Sequence, residues 1–252
     1  MQQFASKTTL TLAAVLIACA GVIAALALRF AHGLYLERAE LRLNPAQASH
    51  FARDNRQIGA PGLPRVVFFG DSRVSSWQPQ PQVTGRELVW RGIAGQTTAQ
   101  MALRYETDVL ALSPSVVVIQ AGINDLVAGS ALGTSANAME QLLRNLHSFV
   151  GLAHAANARV CLLTIVPPQE PSLLRQWWSG DAAGQVAIAN RHIQSMRAPA
   201  VTVIDIAGEI AAQPASTRKS MMSDALHFTA SGYELLNSLL GPCFRNEADA
   251  VQ

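Results

Sequence analysis

Lysine, cysteine and charged residues in general are scarce in this chain of 252 residues. Only two of the 19 basic residues are lysine, 14% of all residues are charged, and the formal net charge is +2. Four of the 19 basic and two of the 17 acidic residues lie within the first 43 positions, so the rest of the chain carries 15 of each sign. This balance leaves no basic footprint of the kind that binds nucleic acid, and we expect no nucleic-acid partner.

The three cysteines narrow the possible functions further. Cys19, Cys161 and Cys243 form no CxxC pair and no His/Cys cluster with zinc spacing, so the sequence predicts no metal site. A disulfide between Cys161 and Cys243 stays open at this stage. A GxSxG nucleophile elbow, a P-loop and a GxGxxG after a strand are also missing, which argues against ordinary α/β-hydrolases, nucleotide-binding proteins and dinucleotide enzymes.

The longest uncharged stretch covers residues 8–28. It is long enough to cross a hydrocarbon layer of about 30 Å as a helix, and it is too uniformly apolar for the core of an ordinary cleaved signal. We therefore interpret residues 1–28 as an uncleaved single-pass membrane anchor. The segment Leu16-Ile17-Ala18-Cys19 resembles a bacterial lipobox, so a lipoprotein attached through Cys19 is the alternative.

Residues 29–64 are interpreted as a juxtamembrane helix followed by a polar linker rich in proline and glycine. A main domain is predicted over residues 65–241, with a tail at 242–252. The basic residues flanking the anchor are more numerous on the side of the main domain, which by charge alone weakly favours a cytoplasmic domain.

Short apolar runs alternate with helical patterns throughout the predicted main domain. Strands are predicted at 65–69, 87–91, 115–120, 159–165 and 201–205, and helices at 73–78, 97–111, 135–156, 183–197 and 230–240. Strands separated by helices imply parallel βαβ units with right-handed crossovers. The sequence therefore predicts an α/β fold, a three-layer α/β/α sandwich of flavodoxin type with a five-stranded sheet in the order 2-1-3-4-5.

Polar residues follow the ends of several predicted strands. Ser72 comes just after the first strand, Gly95 follows the second and Asn124 follows the third. Asp224 and His227 lie in a further polar cluster near the C-terminus. Because the carboxyl ends of parallel strands share one edge of the sheet, we expect these residues to converge.

These residue types match the parts of a serine hydrolase. Ser72 is the candidate nucleophile, although on its own stretch it also fits a helix N-cap. His227 is the candidate base, and Asp224 is spaced to orient its imidazole. The backbone N–H groups of Ser72 and Gly95 and the side-chain amide of Asn124 are the candidate oxyanion-hole donors.

Four blocks of the sequence resemble those of the SGNH hydrolase superfamily, also called the GDSL esterase/lipase family. They are Gly70-Asp71-Ser72, Gly92-Ile93-Ala94-Gly95-Gln96-Thr97, Gly122-Ile123-Asn124-Asp125 and Asp224-Ala225-Leu226-His227, in family order and at family-like spacing. The resemblance implies a flavodoxin-like fold and hydrolysis of esters or thioesters without a metal or organic cofactor. It also implies the catalytic roles given above. We interpret Asp71 and Asp125 as structural hydrogen-bond acceptors.

Three positions depart from the family pattern. Arg73 follows the serine, where a small or apolar residue is usual; Trp90 stands where asparagine is common; and Phe228 replaces a common proline. We expect Arg73 and Trp90 to alter the substrate cleft.

A Pro-rich loop over residues 166–182 contains two further cleft candidates, Trp177 and Trp178. Loops that follow the strands line the cleft in this architecture. A loop packed over the core is the alternative.

The residues and the resemblance together predict a membrane-anchored serine esterase that acts on small-molecule, glycan or lipid esters through an acyl-enzyme. An O-acyltransferase or acetyltransferase acting on cell-surface glycans is the alternative, because the shape of the cleft selects the acceptor. A non-catalytic binding domain on a membrane stalk is disfavoured by the intact set of catalytic residue types. The resemblance to the family favours a periplasmic or extracytoplasmic main domain, whereas the charges that flank the anchor weakly favour a cytoplasmic one.

Overall fold

The computed structural model describes residues 7–169 and 180–245, and the chain divides into two compact units that meet between Gln47 and Ala48. The first unit contains one helix, α1 (Lys7–Leu43), which runs without a break through both the apolar and the charged stretch. The part from Thr9 to Leu43 is long and apolar enough to cross a membrane, and large apolar side chains along it are exposed. Such a helix is suited to serve as a signal anchor or a membrane span.

The second unit is built on a five-stranded parallel sheet. Its strands are β1 (Arg65–Gly70), β2 (Glu87–Gly92), β3 (Val116–Gln120), β4 (Arg159–Leu163) and β5 (Val201–Ile204). They pair in the order β2-β1-β3-β4-β5, and every pairing is parallel. The predicted α/β fold and its strand order are confirmed.

Helices cover both faces of this sheet. One face carries α4 (Thr98–Ala102), α5 (Tyr105–Asp108), α6 (Ile123–Ala131), α7 (Ser135–Ala155) and α8 (Ala182–Ser195). The other carries α3 (Ser72–Ser75), α9 (Ile206–Ala211), α11 (Ala230–Leu239) and α12 (Gly241–Phe244). Two exposed short helices, α2 (Ala52–Gln57) and α10 (Ala215–Ser220), complete the described α-helices.

The central strands supply both cores. Along β1, Val67 and Phe69 face one layer of helices, while Val66 and Phe68 face the other. Every residue of β1 and β3 is buried. Burial on both faces is why these strands read as continuous apolar runs without polar alternation.

Two segments differ from the sequence-based expectation. The helix predicted at 97–111 is broken into α4, α5 and a 3₁₀ turn (Leu110–Leu112), because the chain turns at Arg104 and Val109 to bury polar side chains. The segment 48–64, predicted as linker, belongs to the second compact unit. Asn55 in α2 attaches it by donating to the backbone O of Thr107 and to a carboxylate oxygen of Asp108.

A disulfide joins Cys161 in β4 to Cys243 in α12, with the two Cα atoms 5.4 Å apart. Both cysteines are buried. Arg159 donates from Nη2 to the backbone O of Cys243 at 3.1 Å, next to this bond. The C-terminal helix is therefore attached to the sheet by a covalent bond, a possibility that the sequence had left open.

Candidate active site

Ser72 lies at the carboxyl edge of the sheet, in the first turn of α3. Asp71 caps this helix, and its Oδ1 accepts a hydrogen bond from the backbone N–H of Arg73 at 2.9 Å. A Cβ on Gly70 would approach the backbone O of Gln120 to 2.2 Å, so only glycine lets β1 pass β3 here. This turn brings the Ser72 hydroxyl out of the buried strand while Asp71 stays enclosed.

Two hydrogen bonds link Ser72, His227 and Asp224 in a row. The Oγ of Ser72 lies 3.0 Å from Nε2 of His227, and Nδ1 of the same ring lies 2.7 Å from Oδ2 of Asp224. In the tautomer in which Nδ1–H donates a hydrogen bond to the Asp224 carboxylate, the lone pair of Nε2 faces Ser72 Oγ and can accept its proton. The sequence-predicted nucleophile, base and orienting acid are therefore brought together.

Asp224 also shapes the loop on which His227 lies. Its Oδ1 accepts from the backbone N–H groups of Leu226 at 2.7 Å and His227 at 2.9 Å. The loop closes where the N–H of Ser223 donates to the backbone O of His227 at 2.9 Å. Partial burial raises the pKa of the Asp224 carboxyl, but these donors and the imidazole outweigh it and bring the pKa down to about 2. Asp224 is thus ionised throughout the neutral range.

Two of the candidate oxyanion donors, Gly95 and Asn124, lie in the turns after β2 and β3, the two strands that flank β1. Gly95, after β2, has a φ of +76°, a conformation that side-chain-bearing residues rarely adopt. Asn124 lies in the first turn of α6 and donates from Nδ2 to the backbone O of Gln96 at 2.9 Å. That bond ties the two turns together and leaves the second N–H of the Asn124 amide for another acceptor.

Asp125 supports these turns from inside the protein. Both of its carboxylate oxygens accept from the backbone N–H of Thr98, and Oδ1 also accepts from the Thr98 hydroxyl at 2.6 Å. Asn145 donates to the same hydroxyl oxygen at 3.0 Å. Burial raises the pKa of the Asp125 carboxyl to about 6, although the Thr98 donors act in the opposite direction.

A second buried support, Arg104, has no counterpart in the sequence analysis. Its guanidinium donates to the backbone O of Gly70 at 3.1 Å, to the backbone O of Arg91 at 3.0 Å and to the side chain of Gln96 at 2.6 Å. It also forms a fully buried ion pair with Asp108 at 3.2 Å. Burial lowers the pKa of Arg104 to about 10, so the group stays charged at neutral pH.

Arg104 thus binds the ends of β1 and β2 and the turn that carries Gly95. The only sequence signal for it is an arginine and an aspartate four residues apart within an otherwise apolar helical pattern.

Arg73, the cleft candidate that follows Ser72, is buried in the protein. Its side chain is 1% exposed. Its Nε donates to the backbone O of Leu226 at 2.9 Å, and its Cζ lies 5.1 Å from the ring centroid of Phe228. Burial lowers the pKa of the guanidinium, and the neighbouring Asp71 carboxyl opposes that shift. Burial also raises the pKa of Asp71.

The other three positions proposed for the cleft, all tryptophans, have different outcomes. Trp90 stacks on Phe68 with ring centroids 4.0 Å apart and so packs against the core that contains α3. Trp177 and Trp178 lie outside the described residues. Within residues 7–169 and 180–245, no group of three or more His, Cys, Asp or Glu side chains is arranged to hold a metal ion.

Residues 66–235 match the model of the GDSL-like Lipase/Acylhydrolase family, and the match spans the blocks that carry Ser72, Gly95, Asn124 and His227. The chain belongs to this family. Family members are acylhydrolases, so the reaction class is ester hydrolysis. No curated protein sequence matches the chain significantly.

The second unit is similar to several solved structures of lipases and esterases. A GDSL-like lipase from Bacteroides thetaiotaomicron is 27% identical, with a TM-score of 0.64 over 78% of this chain and 96% of that one. The lipase/acylhydrolase from Enterococcus faecalis is 22% identical, with a TM-score of 0.54 and coverage of 71% and 93%. An acetylxylan esterase from Geobacillus stearothermophilus is 18% identical, with a TM-score of 0.52 and coverage of 75% and 97%. The last two share the fold with this chain.

Proposed function

We propose that this GDSL-family protein is a serine esterase in which Ser72 is the nucleophile, His227 the general base and Asp224 the residue that orients the base. The observation that carries the proposal is the row of two hydrogen bonds, 3.0 Å and 2.7 Å long, that joins the three side chains. A serine hydroxyl becomes an effective nucleophile only when an adjacent base takes its proton.

The reaction follows from the positions of the protons. Ser72 Oγ attacks the ester carbonyl carbon while its proton passes to Nε2 of His227, and Asp224 stabilises the imidazolium that forms. The developing oxyanion is held by the N–H groups of Ser72 and Gly95 and the amide of Asn124. His227 then gives its proton to the leaving alcohol, which departs and leaves an acyl-enzyme. Water, deprotonated by His227, then attacks the acyl carbon. The bond to Ser72 Oγ breaks as His227 returns the proton to that oxygen, which releases the acid and restores the Ser72 hydroxyl and the neutral imidazole.

We further propose that α1 anchors the enzyme in a membrane and that the catalytic unit is extracytoplasmic. The disulfide between Cys161 and Cys243 supports this orientation, because disulfides persist in oxidising compartments and are rare in the cytosol. Alkaline phosphatase and a fluorescent protein that folds only in the cytosol, each fused after residue 252, test the orientation. Active phosphatase without fluorescence supports it, and the reverse pattern contradicts it.

The catalytic proposal is tested with the full chain in detergent micelles and p-nitrophenyl acetate, butyrate and octanoate. We expect the wild-type protein to hydrolyse these esters and Ser72→Ala to abolish the activity. The control is Ser76→Ala, which replaces an exposed serine four residues further along the chain and should leave the activity unchanged. Labelling by a fluorophosphonate should show the same pattern, since it requires only an activated serine. Labelling without turnover would favour acyl transfer to an acceptor, whereas a folded protein that does neither would contradict the proposal.

A further inference from the structure

Three arginines of the second unit have side chains that are at most 2% exposed and carry very different numbers of hydrogen bonds. Arg65 donates to two backbone carbonyls and to Glu87. Arg104 donates to four acceptors, among them the carboxylate of Asp108. Arg73 donates a single side-chain hydrogen bond, from Nε, and its Nη1 and Nη2 find no acceptor among the described residues.

A buried guanidinium with so few partners is expensive to maintain. Desolvation of a cation costs several kcal/mol unless good hydrogen bonds and an opposite charge repay it. A purely structural arginine should resemble Arg65 or Arg104, whose donors are largely satisfied. The position of the one bond that Arg73 does make therefore indicates why the residue is there.

That bond connects the immediate chain neighbours of the two reacting groups. Arg73 directly follows Ser72, and its acceptor Leu226 directly precedes His227, 153 residues further along the chain. Together with the 3.0 Å contact between Ser72 Oγ and His227 Nε2, it closes a small ring of two covalent and two non-covalent links.

Both sides of this ring are themselves fixed. The hydroxyl of Tyr233 in α11 donates to the backbone O of Arg73 at 2.9 Å, and the Arg73 guanidinium rests on the ring of Phe228, the residue after His227. The residues before and after the base are therefore both in contact with one side chain. Within the loop, His227 is otherwise held by bonds to Ser223 and Asp224.

We propose that Arg73 is a positioning residue that sets the distance between Ser72 and His227 by holding the backbone carbonyl before the histidine and the Phe228 ring after it. The proposal rests on the proposed function, since it matters only if His227 activates Ser72. Without the guanidinium, the loop keeps its internal hydrogen bonds and the contact between His227 and Ser72, but it loses the hydrogen bond that joins its backbone to the turn carrying Ser72. Misplacement of a catalytic group by about 1 Å can cost about 100-fold in rate.

The test compares Arg73→Met and Arg73→Lys with Arg65→Met in the full chain. Arg65 is the matched control, because it is equally buried but lies at the opposite, amino end of β1. Urea unfolding measures what each substitution costs in stability. The rate of fluorophosphonate labelling measures how well His227 activates Ser72, whatever the natural substrate is.

We expect Arg73→Met to slow labelling and kcat for p-nitrophenyl acetate by about 100-fold, with KM changed by less than about threefold. Arg73→Lys keeps the charge but lacks the Nε–H, and we expect about a tenfold loss. Arg65→Met should lose stability yet label at nearly the wild-type rate. Millimolar ethylguanidinium should restore part of the labelling rate of an Arg73→Ala protein.

Any folded Arg73 variant that labels as fast as Arg65→Met would overturn the proposal. If Arg73→Met does not fold, the same comparison is made with Arg73→Lys. A wild-type protein that fails to label at all would instead contradict the proposed function, so the two failures are distinguishable.

Discussion

The two sides of Ser72 are built on different physical principles. On the base side, the side chains of His227 and Asp224 are 36% and 57% exposed, and they lie on a loop shaped by hydrogen bonds of its own backbone. On the oxyanion side, the supporting residues Thr98, Arg104 and Asp125 are at most 6% exposed and are linked to three different strand ends or turns.

The difference in burial predicts which substitutions change activity without changing the stability of the fold. The base side can lose a side chain to solvent at little cost to the core, since its groups are partly hydrated already. The oxyanion side cannot, because removing a member leaves a charged or polar partner buried and unpaired. Substitutions of His227 or Asp224 should therefore act on the rate, and substitutions of the buried residues beneath the oxyanion donors should act on stability.

Replacing the base should give the largest effect. His227→Ala removes the proposed acceptor of the Ser72 proton, and we expect kcat/KM for p-nitrophenyl acetate to fall by at least about 1,000-fold. The urea midpoint should change little, because the ring is partly exposed. The exposed helical His147→Ala is the control. A large loss of stability in His227→Ala would break the comparison.

Arg104→Met is the matching test on the oxyanion side. It leaves Asp108 buried without its cation, which typically costs about 3–5 kcal/mol in the free energy of unfolding. Urea unfolding followed by tryptophan fluorescence measures this loss. Arg144→Ala, which breaks an exposed pair with Glu140, should cost no more than about 0.5 kcal/mol. Equal losses in the two variants would contradict the role assigned to Arg104.

Asn124→Ala tests whether exposure, and not the side of the site, decides the effect of a substitution. Asn124 lies on the oxyanion side but is only half-buried. Loss of one oxyanion donor typically lowers kcat by about 100- to 1,000-fold. Its bond to the backbone O of Gln96 is one contact at the surface of the network, so we expect a stability loss of only about 1 kcal/mol. Steady-state kinetics and urea unfolding of the same preparation check both numbers. A kcat within threefold of wild type would exclude Asn124 from the hole.

The smallest effect concerns pH. The carboxyl of Asp125 has its pKa raised to about 6 from an ordinary value of 3.8, so between these values the folded protein binds a proton that the unfolded chain has lost. The contribution of Asp125 to stability therefore falls as pH rises from about 4 to about 6, by at most about 3 kcal/mol.

Asp125→Asn should remove that part of the slope when urea midpoints are measured from pH 4 to 7. Buried Asp71, whose pKa is also raised, keeps a slope of the same sign in the variant. An unchanged slope would show that Asp125 is ionised in the folded protein at these pH values.

The sheet was predictable because its strands have a recognisable sequence pattern. The middle of a strand that is buried on both faces is apolar, so residues 66–69 of β1 and 116–119 of β3 appear as uninterrupted apolar runs, with buried Arg65 and Gln120 only at the strand ends. The alternation of strands with helices leaves few topologies. The site residues were predictable for a related reason. Strand ends of a parallel sheet meet at one edge, so polar residues after different strands are neighbours regardless of their separation in sequence.

The supporting residues were not predictable, because their partners are distant and unmarked in the sequence. Arg104 lies within a stretch that has a helical apolar pattern, and nothing there shows that the chain turns so that its guanidinium can reach Gly70, 34 residues earlier. Asn55 lies in a polar segment whose composition is typical of a linker, yet it reaches Asp108 and Arg91. The burial of Arg73 likewise depends on Leu226 and Phe228.

The disulfide separates the candidate catalytic residues into a group that precedes the covalently closed loop and a group that lies inside it. Ser72, Gly95 and Asn124 precede Cys161, whereas Asp224 and His227 lie between Cys161 and Cys243, inside a covalently closed loop with a sequence separation of 82 residues. In the chain-entropy model, closing a loop of that length raises the free energy of the unfolded chain by about 4–5 kcal/mol, because the linked chain can adopt fewer conformations. The more exposed half of the candidate site, His227 and Asp224, is thus the half whose unfolded chain is restricted by a covalent link.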